Sequence, residues 1–132
     1  MYSQIIVRMK KIFTTLIAED DEISFELYKA RLENLGLNII HAKNGKKAVE
    51  ETMKNPNIDL ILMDIRMPVM DGYQATKEIR TFNESVPIIA QTAFAAIPEH
   101  HRMLDLGFTE FFEKPLRDET LREIVTKYRG NS

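Results

Sequence analysis

The chain has 132 residues, enough for one domain with a real core, and it is 44% hydrophobic and 29% charged with a formal net charge of -2. That balance gives no global reason to bind nucleic acid, and the lack of cysteine excludes a disulfide frame and a thiolate metal site while fitting a reducing, cytoplasmic setting. No apolar run is long enough to span a membrane; Met9-Lys10-Lys11 before Ile12 to Ala18 faintly suggests a signal peptide, but that run is short, carries two threonines and ends in three acids.

Five apolar runs alternate with five helical patterns. Residues 1–10 read as an extension, residues 11–129 as the folded unit and residues 130–132 as a tail. The first predicted strand covers Ile12 to Ala18. A helix follows with Phe25, Tyr28, Leu32 and Leu35 on one face and Gly36 as its stop. Asn38 to Ala42 is the second strand. Asn44-Gly45 opens a helix with Ala48, Val49 and Met53 expected inward, and Asn55-Pro56-Asn57 ends it. Ile58 to Met63 is the third strand, and Asp71 caps a helix bearing Ala75, Thr76 and Ile79. Val86 to Gln91 is the fourth strand. Pro98 fits the first turn of the fourth helix, with Met103 and Leu104 inward and Gly107 after its end. Thr109 to Glu113 is the fifth strand, and Asp118 is expected to cap a last helix with Leu121, Ile124, Val125 and Tyr128 as its stripe.

Regular alternation of this kind predicts a (βα)5 doubly wound α/β fold. Its five-stranded parallel sheet, order 2-1-3-4-5, lies between helices in a flavodoxin-like three-layer sandwich. In such a sheet the carboxyl ends of the strands line the ligand crevice. Glu19 and Asp20 follow the first strand, Asp64 ends the third, Thr92 follows the fourth and Lys114 follows the fifth. All five are therefore predicted at one edge. Converging carboxylates repel and raise one another's pKa unless a cation intervenes, and Mg²⁺ is the leading candidate for an all-oxygen ligand set. Asp64 is the best candidate nucleophile, since carboxylates form acyl phosphates. Asp20 and Glu19, with the carbonyl near Arg66, would hold the metal; Lys114 would supply a point charge and Thr92 a hydroxyl donor for a phosphoryl group.

The chain resembles the CheY-like receiver domain of bacterial two-component response regulators. The resemblance is carried by Leu16-Ile17-Ala18-Glu19-Asp20-Asp21, by Met63-Asp64-Ile65-Arg66-Met67-Pro68-Val69-Met70-Asp71-Gly72, by Pro87-Ile88-Ile89-Ala90-Gln91-Thr92-Ala93 and by Phe112-Glu113-Lys114-Pro115. It spans Lys11 to Tyr128. The resemblance implies that Asp64 accepts phosphate from a phosphohistidine on a histidine kinase or histidine phosphotransfer protein, with Mg²⁺ on Glu19, Asp20, Asp64 and the Arg66 backbone carbonyl. It also implies a cis Lys114-Pro115 bond, Thr92 and Lys114 on the phosphoryl group, and Phe111 as an aromatic switch. Through Phe111 the surface of helix four, strand five and helix five would change, allowing a phosphorylation-dependent homodimer. The family has Tyr at the switch more often than Phe, and Asp more often than Glu at position 19. The wording around Glu19 and Met67 to Thr76 looks most like receivers fused to hybrid sensor kinases. The expected role is signalling rather than enzymatic turnover, with slow self-dephosphorylation tuned by Arg66 and Phe94. No output domain, nucleic-acid contact or membrane contact is expected within these residues.

Other readings give the same residues different work. A hydrolase of the haloacid-dehalogenase type would want a second Asp two places after the nucleophile, where this chain has Arg66. A nucleotide-binding module would want a glycine-rich loop after the first strand, where Glu19-Asp20-Asp21-Glu22 would repel phosphate. A phosphorylation-independent interaction domain would not need the complete set. Asp21 and Glu22 read as loop and first-turn residues that favour the helix dipole. His41, His100 and His101 read as ordinary surface or half-buried residues, and Lys43, Lys46 and Lys47 as a solvated basic face.

Overall fold

The computed structural model describes residues 12–93 and 102–130; Phe94, Pro98, His100, His101 and the amino-terminal extension lie outside the described residues. Five strands form one sheet: β1 (Thr14–Ala18), β2 (Asn38–Ala42), β3 (Leu60–Asp64), β4 (Ile88–Thr92) and β5 (Glu110–Glu113). All pairings are parallel and the order is β2-β1-β3-β4-β5, as predicted. The helices are α1 (Glu22–Asn34), α2 (Gly45–Lys54), α3 (Gly72–Arg80), α4, described over 102–105, and α5 (Asp118–Arg129).

Period-two alternation divides the apolar residues between two cores. Leu16, Ile61, Met63, Ile88 and Ala90 face Ala48 of α2, Ala75 and Ile79 of α3 and Met103 of α4. Ile17, Leu60, Leu62 and Ile89 face Phe25, Tyr28 and Leu32 of α1 and Leu121, Ile124 and Val125 of α5. The central strands β3 and β4 are buried at every position, which is why they read as unbroken apolar runs rather than alternating ones. The switch order of the sheet places the β1 and β3 carboxyl ends side by side, with β4 next in line.

Three local expectations are corrected. Met53 is 62% exposed and Thr52 takes the inner position, because Thr52 Oγ1 donates to the Ala48 carbonyl at 2.7 Å and so enters the core with its hydroxyl paired. Leu104 is exposed, while Met103 alone of that pair is inward. Asp118 is not a cap: Arg117 holds the N-cap position without a side-chain hydrogen bond, and Asp118 is the first helical residue, where its charge favours the dipole. The predicted caps Asp71 and Asn44 do hold, accepting from Gln74 N at 2.9 Å and Lys47 N at 2.8 Å.

Candidate functional site

Each site residue is fixed by the backbone around it. Glu19 leaves β1 with its N–H donating to the Ala42 carbonyl at 3.0 Å. Asp21 caps α1 by accepting from Ser24 N at 2.9 Å and Ser24 Oγ at 2.7 Å, which lowers its pKa and turns its carboxylate to the helix. Asp64 is the last residue of β3 and Thr92 the last of β4, so β4 runs one residue past the Gln91 expected to end it. Lys114 follows β5, its N–H donating to the Thr92 carbonyl at 2.7 Å, and the Lys114-Pro115 bond is cis.

These residues meet in one cavity of about 200 Å³, lined by Glu19, Asp20, Asp64, Arg66, Thr92 and Lys114 among others. One carboxylate oxygen each from Glu19, Asp20 and Asp64 lies within 4.8 Å of the others. Lys114 Nζ stands 2.9 Å from Glu19 Oε1 and 3.2 Å from Asp64 Oδ2. Glu19 is 0% exposed and Asp64 4%, whereas Asp20 is open to solvent. Burial pushes the Glu19 carboxyl up to about 7, with the Asp64 charge adding to the rise and the Lys114 hydrogen bond opposing it. Burial alone would lower the Lys114 ammonium, but the Glu19 hydrogen bond and the Asp64 charge outweigh it and raise the pKa.

The donor set fits a hard divalent cation. Among the described residues the carboxylates of Glu19, Asp20 and Asp64 gather beside the Lys114 ammonium, and burial raises the pKa of the most buried of them. A cation with oxygen ligands relieves both the repulsion and the burial cost.

Two features beside the site were not visible in the residues. His41 stacks flat on Phe25, ring centroids 3.5 Å apart, and its Nε2 lies 2.8 Å from the Glu19 carbonyl oxygen. The sequence places His41 at a strand end near the acids but gives no sign of that contact. In the loop from β3 to α3, Val69 has a φ of 71°, a left-handed conformation that a β-branched side chain rarely adopts. Met70 N–H turns back to the Pro68 carbonyl at 2.8 Å, and the Met70 carbonyl accepts from Gly45 N at 2.9 Å. The two flanking glycines explain how the loop closes so tightly. A Cβ on Gly45 would stand 2.3 Å from Met70 O, and one on Gly72 would stand 2.3 Å from Asp64 O. Phe111 is half-buried against the core of α2 and α3, paired in register with Ala90.

A doubly wound parallel sheet whose carboxyl edge gathers three acids, a hydroxyl and a lysine defines a domain of the flavodoxin-like class with a cation-compatible crevice. The chain belongs to the response regulator receiver domain family, whose model matches residues 15–126. It is a receiver domain of two-component signalling. Sensor protein GacS of Pseudomonas syringae pv. syringae is 33% identical over 120 residues; the match covers 87% of this chain but spans only 13% of GacS. The receiver domain of the sensor histidine kinase PA1611 from Pseudomonas aeruginosa, with magnesium coordinated in its active-site cleft, superposes with a TM-score of 0.82 at 33% identity, covering 92% of this chain and 100% of that one. A co-crystal of the Saccharomyces cerevisiae histidine phosphotransfer signalling protein Ypd1 with the receiver domain of Ssk1 matches with a TM-score of 0.82 at 28% identity, covering 89% of this chain and 88% of that one.

Proposed function

We infer that Asp64 is the phosphoacceptor of a two-component phosphorelay, taking its phosphoryl group from the phosphohistidine of a histidine kinase or histidine phosphotransfer protein. The observation that carries this reading is the convergence of Glu19, Asp20 and Asp64 on the cavity that Thr92 and Lys114 also line. Glu19, Asp20, Asp64 and the Arg66 carbonyl would hold Mg²⁺, which would supply the positive charge that lets phosphoryl oxygens approach three acids. An Asp64 carboxylate oxygen bonds to phosphorus while the P–N bond to the donor imidazole breaks, and the electron pair stays on the imidazole nitrogen. Lys114 exchanges its contact with Asp64 Oδ2 for a phosphoryl oxygen, and Thr92 donates its hydroxyl to another. Water later attacks phosphorus, releases inorganic phosphate and restores the carboxylate, with Arg66 at the mouth tuning that rate.

Phosphoryl binding draws Thr92 inward, opens space for Phe111 and reshapes the face of α4, β5 and α5 for a partner, including a second copy of the chain. A preference of a few kcal/mol for that state is enough for a switch. The domain signals rather than turns over free substrate, without nucleic acid or membrane contact, in the cytoplasm. The likeness to GacS supports a place as the receiver of a hybrid sensor kinase. Incubation with acetyl phosphate and Mg²⁺, followed by intact mass, is expected to show one added phosphoryl group on the wild type and none on Asp64→Ala. Steady release of phosphate from varied esters would instead favour a hydrolase.

A further inference from the structure

Tyr28 lies in the core between α1 and α5, 2% exposed, and its hydroxyl is a polar atom in an apolar setting. A phenylalanine would fill the same space without the cost of burying that hydroxyl. The hydroxyl accepts from Leu116 N at 3.3 Å, and Leu116 is itself buried. About one turn further along α1, Arg31 Nη1 donates to the Leu116 carbonyl at 3.4 Å. Both backbone groups of Leu116 are thus held by side chains of α1.

Leu116 follows Lys114 by two residues. At the other end of that short segment, Lys114 N–H donates to the Thr92 carbonyl at 2.7 Å. The backbone that carries the lysine is therefore pinned between β4 and α1. The same helix starts at the acids, since its N-cap Asp21 comes directly after Glu19 and Asp20. About two helical turns, roughly 10 Å of rise, separate Asp21 from Tyr28. Burial raises the pKa of the Tyr28 hydroxyl, and the charges of Lys114, Glu19 and Asp64 all reach it.

We propose that Tyr28 is a positioning residue for phosphoryl acceptance, its hydroxyl fixing the backbone at Leu116 so that Lys114 Nζ is delivered between Glu19 and Asp64. This deepens the phosphoacceptor reading and rests on it. A lysine carries its charge on a flexible four-carbon stem, so where the ammonium stands depends on how firmly its backbone is held. Nζ lies 2.9 Å from Glu19 Oε1 and 3.2 Å from Asp64 Oδ2, and it moves from Asp64 to a phosphoryl oxygen while its backbone stays in place. A misplacement of about 1 Å in a reacting group can cost on the order of a hundredfold in rate. The acids do not depend on this bond: Glu19 is set by Ala42 and His41, and Asp64 by β3. The hydroxyl acts on the lysine and leaves the cation ligands alone.

The test is Tyr28→Phe, which removes the hydroxyl alone, read by the rate of acetyl phosphate labelling at saturating Mg²⁺ and by Mg²⁺ calorimetry. Labelling is expected to slow at least threefold while Mg²⁺ affinity stays within twofold of wild type. In a Lys114→Ala background the same change is expected to alter the residual rate less than twofold, because the group it positions is gone. A smaller loss of rate in Tyr28→Phe would overturn the proposal. So would a greater loss of Mg²⁺ affinity, which would mark a general loosening of the fold, or a larger change in the Lys114→Ala background. Arg31→Met, at a half-buried side chain, removes the second hold on Leu116 and is expected to slow labelling at least twofold. Should Tyr28→Phe not fold, a smaller effect of Arg31→Met overturns the proposal in its place. Failure of acetyl phosphate to label the wild type at all would strike the phosphoacceptor reading itself, and this proposal with it.

Discussion

The two ends of the same strands treat their acids in opposite ways. At the amino end of the sheet, Asp59 precedes β3 and accepts from Thr14 N at 2.8 Å, while Asp59 N–H donates to the Thr14 carbonyl at the same distance. That carboxylate serves the chain's own backbone and stays partly solvated. At the carboxyl end, Glu19 and Asp64 are buried and share one lysine, with a third acid beside them. An acid that completes a backbone pairing stabilises the fold. Acids gathered in one cavity around a shared lysine form a cluster compatible with a divalent cation.

The largest expected effect sharpens the carboxyl end. Gly72→Ala forces a methyl group against the Asp64 carbonyl, backbone on both sides, so neither can move without displacing β3. Chemical denaturation is expected to show a loss of about 3 kcal/mol or more. A loss under about 1 kcal/mol would mean that the loop is looser than this packing.

Next in size is a pH effect confined to that end. The folded Glu19 carboxyl sits at about 7, above its ordinary 4.5, so the stability it contributes is fully present below 4.5 and is lost as pH rises through 7. In chelator, denaturation curves at pH 5 and pH 8 are expected to differ by on the order of 2–3 kcal/mol through this group. Mg²⁺ should restore the loss at pH 8, and Glu19→Gln should flatten the profile while weakening Mg²⁺ binding by calorimetry. A Glu19→Gln profile with the wild-type slope would assign the effect elsewhere.

The smallest effect breaks the comparison from the other side. Asp59→Ala is expected to cost about 1 kcal/mol by removing a paired acceptor from Thr14 N. Mg²⁺ affinity and phosphoryl acceptance should be unchanged. Loss of either would mean that the two ends are not independent.

How much of this was legible follows the same division. The sheet order and the shared address of Glu19, Asp20, Asp64, Thr92 and Lys114 could be read because buried parallel strands announce themselves as apolar runs, and polar residues at their ends stand out. Facing on helix margins was not legible: Met53 and Thr52 differ by one position, and only the Ala48 carbonyl decides which enters. The absent side-chain cap on α5 was hidden because Asp118 suits both an N-cap and a first turn. Val69 was hidden more deeply. Its backbone is set by the contact between Met70 and Gly45, from different connections of the fold, and nothing in Pro68-Val69-Met70 asks for a left-handed valine.

The most direct measurement is to locate the phosphoryl group. Acyl phosphate formed from acetyl phosphate and Mg²⁺ is reduced by borohydride, which converts a phosphorylated aspartate to homoserine, and peptide sequencing by mass then reads the position. The account predicts homoserine at position 64 alone, lost when Mg²⁺ is chelated. Homoserine at position 20 or 71, or labelling that persists with Lys114→Ala at the wild-type rate, would contradict it.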